Sequence, residues 1–124
     1  MRSYLINLAR RPDRLAAMQA RATSLGLALE RVEAVDARIA DMAALDHWFE
    51  GGGPLGEIPK GDKACLLSHR TAWELFLGTG EAHGVFLEDD VRLSAGAGAL
   101  LASDTWIPAG VGVVKLEHYG PPGQ

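Results

Sequence analysis

Short apolar runs alternate with stretches of helical period along the first two thirds of the chain. Tyr4-Leu5-Ile6-Asn7-Leu8 reads as a buried strand, and Pro12 beside Asp13 opens a helix, because proline at a first helical position loses no hydrogen bond. Leu15, Met18, Ala22 and Leu25 recur at helical spacing, and Gly26 supplies the stop. A second strand lies within Leu29 to Val35 and ends at Asp36. Ile39, Met42, Leu45 and Phe49 predict another helix, closed by the Gly-Gly-Gly-Pro stretch from Gly51. From Asp62, read as an N-cap, a longer helix carries Cys65, Leu66, His69, Ala72, Trp73, Phe76 and Leu77 on one stripe, and Gly78 and Gly80 end it. Val85-Phe86-Leu87 is a third strand running into Glu88-Asp89-Asp90. Ser94 to Leu101 reads as a helix weakened by Gly96 and Gly98, and Val111 to Leu116 as a fourth strand.

Strands alternating with helices predict an α/β layered fold with a mostly parallel sheet flanked by helices. Ligands collect at the carboxyl ends of such strands, where Asn7, Asp36 and the acidic trio fall. With 124 residues, 48% of them apolar, the chain is read as a single domain over 1–124, its last residues 118–124 as a flexible Pro/Gly tail. The excess of 16 Asp and Glu over 12 Lys and Arg argues against a nucleic-acid partner, which requires a broad basic surface. One cysteine allows no internal disulfide. The apolar run at the start is cut short by Arg10 and Arg11, so neither a signal peptide nor a membrane span is predicted, and a cytoplasmic protein is expected.

Three consecutive carboxylates call for a cation, since each close pair repels by roughly 3 kcal/mol at about 5 Å and an effective dielectric of about 20. A period of two turns Glu88 and Asp90 to one face and Asp89 to the other. Magnesium or manganese, hard ions that take oxygen ligands and bridge to diphosphates, match the trio, so Glu88, Asp89 and Asp90 are the metal candidates. Solvated acids at a strand end, helped by Arg92, are the plainer reading. A phosphorelay receiver domain also carries an acidic pair after a buried strand. There the pair follows the first strand, however, and here the third.

Four segments in order resemble glycosyltransferase family 25: Leu5-Ile6-Asn7-Leu8 with Arg10-Arg11-Pro12-Asp13-Arg14; Ala34-Val35-Asp36; Cys65-Leu66-Leu67-Ser68-His69-Arg70 through Trp73; and Phe86-Leu87-Glu88-Asp89-Asp90-Val91. Lys115-Leu116-Glu117 resembles that family's next strand. The resemblance covers the N-terminal half of such a domain, and Ala64 stands where the family has glycine. It implies a GT-A-like (Rossmann-like) fold, truncated here, with a manganese- or magnesium-binding acidic motif and a nucleotide-sugar donor. It further implies transfer onto a hydroxyl of a lipopolysaccharide-type glycan or lipid-linked acceptor. UDP-galactose is the donor that bacterial relatives suggest.

Within that frame Asn7, Arg11, Arg14, Asp36, Ser68 and His69 are the substrate-binding candidates. Arg11 and Arg14 flank a helix start, where free N–H groups and guanidinium forks suit a phosphate. Taken alone, that cluster is a solvated surface. His69, read as buried in the apolar stripe, has two roles open: holding the acidic strand end or touching the donor. Cys65, Trp73, Phe76, Phe86 and Met18 are assigned to the core, Trp48 and Trp106 to structural roles. No general base is identifiable, and Asp104 and Glu117 are the only later acids. The alternative is an inactive module that binds nucleotide or another subunit. Ending the chain at Gln124 is expected to expose a sheet edge near the fourth strand and Leu100-Leu101, covered by a homodimer.

Overall fold

Parallel pairing of three strands organises the computed structural model, which describes residues 1–49, 51, 53–117 and 120, with Met42 described by its main chain. The proposed tail at 118–124 falls outside these residues apart from Gly120. The strands are β1 (Arg2–Asn7), β2 (Leu29–Glu33) and β3 (Gly84–Glu88), in the order β2-β1-β3. Leu5 pairs with Arg31 and Leu87, and Ile6 with Val32 and Glu88. The central strand is buried from Ser3 to Asn7, which is why its sequence reads as an uninterrupted apolar run.

Helix α1 (Pro12–Ser24) has Pro12 at its start and buries Met18 and Ala22. It stops before Gly26, whose φ of 72° lies in the left-handed region that other residues avoid. Helix α2 is one short turn, Met42–Asp46, capped by the Asp41 carboxylate on the Ala43 N–H. The helix expected from Ile39 is thus shorter, and Ile39 itself is exposed. Helix α3 (Lys60–Leu77) begins two residues before Asp62, so Asp62 sits in the first turn rather than at the cap.

The stripe that α3 buries also differs from the expected one. Ala64, Ser68 and Ala72 face inward with Phe76 partly buried behind them, a line displaced by one residue from Cys65, His69 and Trp73. Small side chains let the helix lie close to the sheet, where Ala72 joins Tyr4, Ile6 and Val32 in the core, packed by Phe76 and Phe86. Tyr4 stacks on Phe86 at 5.4 Å and Phe76 meets Phe86 edge-on at 5.8 Å. Trp73, exposed, and Cys65, also exposed, are therefore not core residues.

The fourth strand is not formed. Residues 111–117 have no regular structure; Gly110 turns the chain with a φ of 81°, and Val113, Val114 and Leu116 are exposed. A β-branched run becomes a strand only where a neighbour accepts its hydrogen bonds. Helix α4 (Ala97–Ala102) fills the preceding segment and lies against the end of α1. A side chain at Gly98 would put its Cβ 2.3 Å from the Leu25 carbonyl oxygen, so that approach requires glycine. Among the described residues no helix is long and apolar enough to cross a membrane.

Candidate functional site

Strand pleating divides the carboxyl ends of β1 and β3 into two chemically different faces. Asn7, Arg31 and Asp89 belong to the face of Leu5, while Glu88 belongs to the face of Tyr4 and Ile6, over which α3 packs. Glu88 and Asp89 therefore turn to opposite faces, as expected, although the strand ends at Glu88, and Asp89 and Asp90 lie in the turn that follows.

Asp89 is engaged on the α1 side. One carboxylate oxygen accepts a 2.7 Å hydrogen bond from Asn7 Nδ2 and the other faces Arg14 at 3.3 Å. Asn7, 1% exposed, also donates to the Arg11 carbonyl at 3.0 Å, and its Oδ1 accepts from Arg31 Nε at 3.0 Å. Arg31 Nη2 reaches the Asn7 main-chain carbonyl as well. Asn7 thus joins β1, the α1 entrance, β2 and the acidic strand end. Its side-chain amide is fully committed within the protein rather than presented to a ligand.

The remaining donor-binding candidates divide similarly. Arg11 forms a two-pronged pair with Asp13 across the start of α1, and that pairing, first of all, holds the Asp13 carboxyl down at about 2. Asp36 accepts from the Arg38 N–H and from Arg10 Nε at 2.7 Å, and both interactions, the first more strongly, lower its pKa. Ser68 is buried; its hydroxyl donates to the Ala64 carbonyl at 2.7 Å and accepts from the Val35 N–H at 2.8 Å. It fastens α3 to the chain leaving β2, away from solvent.

On the other face, the Cys65 thiol donates to Glu88 Oε1 at 2.9 Å and His69 Nε2 lies 3.1 Å from the same oxygen. His69 is partly buried, with its ring 5.8 Å from Trp73, and through Glu88 it holds the strand end. The Cys65 hydrogen bond, followed by that of His69, lowers the Glu88 pKa against the opposing effect of burial. The thiol moves the other way, up to about 12, through burial first, then the Glu88 bond and the nearby charges of Glu88, Asp62 and Asp90. Cys65 is accordingly a protonated donor and no nucleophile at neutral pH. Asp90 is exposed on this carboxylate-rich rim.

Among the described residues, Cys65, His69 and Glu88 are the metal-ligating set whose atoms converge, all within 4.8 Å of one another. Sequence reasoning missed the part played by Arg31 and the joining of Cys65 to Glu88. The first had a signal, a charged residue inside a strand; the second had the four-residue spacing of Cys65 and His69. Trp48 is exposed, with the Arg70 guanidinium 3.8 Å from its ring centre, and Trp106 Nε1 bonds the Leu100 carbonyl. Two shallow hollows of about 480 and 490 Å³ lie at the opposite, amino ends of the strands, around Arg2, and contain none of these residues.

The family model described as glycosyltransferase family 25 (LPS biosynthesis protein) matches residues 1–109. The chain belongs to glycosyltransferase family 25. Family 25 relatives include the lacto-N-neotetraose biosynthesis glycosyltransferase LgtB of Neisseria gonorrhoeae, 31% identical over 122 residues, 94% of this chain and 44% of that protein. The inactive glycosyltransferase 25 family member 3 of Mus musculus is 35% identical over 96 residues, 72% of this chain and 16% of its own length. The gonococcal LgtE shares 46% identity over 46 residues, 37% of this chain and 16% of that protein. The chain thus spans less than half the length of these family 25 relatives.

Proposed function

We propose that this chain is the nucleotide-sugar-binding half of a glycosyltransferase that moves a sugar, galactose by analogy with bacterial members, from a nucleoside-diphosphate donor to a lipopolysaccharide-type or lipid-linked glycan. The observation that carries the reading is the family match across residues 1–109, which spans every strand and the acidic end of β3. Manganese or magnesium is the cation proposed. Asp90, exposed, and Glu88, half-buried with Cys65 and His69 both on its Oε1, are the carboxylates proposed for a hard ion, whereas Asp89 has both of its oxygens taken by Asn7 and Arg14. The cation, when bound by Glu88 and Asp90, supplies charge neutralisation for a departing diphosphate.

Arg11 is the side chain best suited to the donor phosphates. It stands at the α1 N-terminus, where main-chain N–H groups point outward, and its partner Asp13 is largely solvated, so exchange of that carboxylate for a phosphate costs little. Arg14 contributes more by orienting Asp89. Self-association over the exposed apolar side chains Leu100, Val113, Val114 and Leu116 accompanies this proposal as the expected homodimer contact. A site at the inner face of a membrane is the corresponding location proposed.

Calorimetry with UDP-galactose, with and without manganese, tests the reading. Manganese-dependent binding that Asp90→Ala weakens supports it; equal affinity in parent and variant overturns it. The second reading, binding without turnover, is favoured by the mouse relative, whose name describes it as inactive. Donor binding with no sugar transferred or hydrolysed identifies that case.

A further inference from the structure

We propose that Cys65, His69 and Glu88 form a binding site for a zinc-class transition-metal ion. Cys65 and His69 are four residues apart on α3, so they project from the same side one turn above the other. Glu88, the last residue of β3, meets both, its Oε1 standing 2.9 Å from the thiol sulfur and 3.1 Å from His69 Nε2. Tetrahedral zinc, with bonds of about 2.0–2.3 Å, separates its ligand atoms by about 3.5 Å; here all three lie within 4.8 Å of one another, so side-chain adjustment, with Glu88 moving outward from its two partners, admits the ion. One sulfur, one imidazole nitrogen and one carboxylate oxygen make a borderline-soft donor set that favours zinc over magnesium or manganese. Three protein ligands also leave a fourth position open to water or an incoming group.

The surroundings suit a cation. Asp62 and Asp90 lie near enough to act on the Cys65 thiol, and Glu117 on Glu88. Binding replaces the thiol proton, which passes to solvent, and it turns the two hydrogen bonds on Glu88 into shared coordination. The site shares Glu88 with the hard-cation reading above but rests on neither a nucleotide nor sugar transfer. A zinc-class ion held there withdraws Glu88 from a manganese-bound donor, so the two metals compete.

Cobalt(II) added to the reduced, tag-free chain without nucleotide tests the site, because cobalt bound to a thiolate absorbs in the near ultraviolet. The expected result is a saturable band at one cobalt per chain, removed by zinc and absent in Cys65→Ser. Losing an outer partner of a metal site already costs about 10- to 100-fold in affinity. His69→Ala and Glu88→Gln, each checked for a parent-like circular dichroism spectrum, should therefore weaken cobalt at least that much. No thiolate band in the parent, or unchanged cobalt affinity in Cys65→Ala, overturns the proposal. Manganese-dependent nucleotide binding without a cobalt band defeats this inference alone, and a cobalt band without nucleotide binding defeats the glycosyltransferase reading alone.

Discussion

Replacing Asn7 by alanine should unfold the chain more readily rather than merely weaken a ligand. The substitution deletes three side-chain hydrogen bonds: one to the Arg11 carbonyl, one to the Asp89 carboxylate and one from Arg31. The neutral bond is worth about 1 kcal/mol and each bond to a charged partner about 1.5 kcal/mol at the low end of its range, about 4 kcal/mol together. Part is recovered, because Arg31 keeps its bond to the Asn7 main-chain carbonyl and Asp89 keeps Arg14. The net loss expected is about 2 to 4 kcal/mol, a fall in melting temperature of roughly 10 °C for a domain of this size. Asn7→Asp should be no milder at neutral pH, since it turns a second carboxylate toward Asp89. Urea denaturation followed by far-ultraviolet circular dichroism gives the measurement, with unchanged slope as the control for two-state behaviour. A loss below about 1 kcal/mol would refute the assignment of Asn7 as a structural junction and return it to the donor-binding set.

Arg11 and Arg14 should part company: Arg11→Ala leaves the melting temperature unchanged, whereas Arg14→Ala lowers stability by up to about 1 kcal/mol through its pair with Asp89, both readable by thermal denaturation. Tyr4 has a buried hydroxyl with no partner among the described residues, so Tyr4→Phe should be neutral or stabilising in the same assay. In the metal-free chain, Cys65 should be alkylated by iodoacetamide at pH 8 about a hundredfold more slowly than glutathione, despite its exposure, and Glu88→Gln should narrow the gap. Glu88, held below its ordinary 4.5, should contribute stability that is fully present above that pH and lost as pH falls through its lower folded value. Denaturation midpoints of parent and Glu88→Gln should accordingly converge in acid.

The three-strand frame was legible because its signals are local. An unbroken apolar run marked β1, Pro12 marked the start of α1, and Gly26 marked its end. Signals that depend on distant partners were not legible. Val111 to Leu116 has the composition of a strand, but composition says nothing about whether a neighbour is present to pair with it. On α3 the large apolar side chains drew the eye to Cys65, His69 and Trp73, while the helix actually sinks its small residues, Ala64, Ser68 and Ala72, toward the sheet. That one-residue rotation is what frees Cys65 and His69 to reach Glu88. For Glu88 and Asp89, periodicity gave the opposite faces correctly. It could not show that the partners of Asp89 lie 75 and 82 residues away along the chain.

The opposed orientations of Glu88 and Asp89 bear on how the family's acidic motif is interpreted in any member. Asp89 is tied to Asn7 and Arg14, so the fold has a use for this carboxylate whether or not sugar is ever transferred. Selection for a folded chain alone would retain it, and a descendant that has abandoned chemistry would still carry it. Asp90, exposed at the rim, has no comparable hydrogen-bonded role among the described residues. Loss of turnover would leave its mark at Asp90 sooner than at Asp89, so the third acid, and not the intact look of the motif, is the position at which working and retired members would diverge.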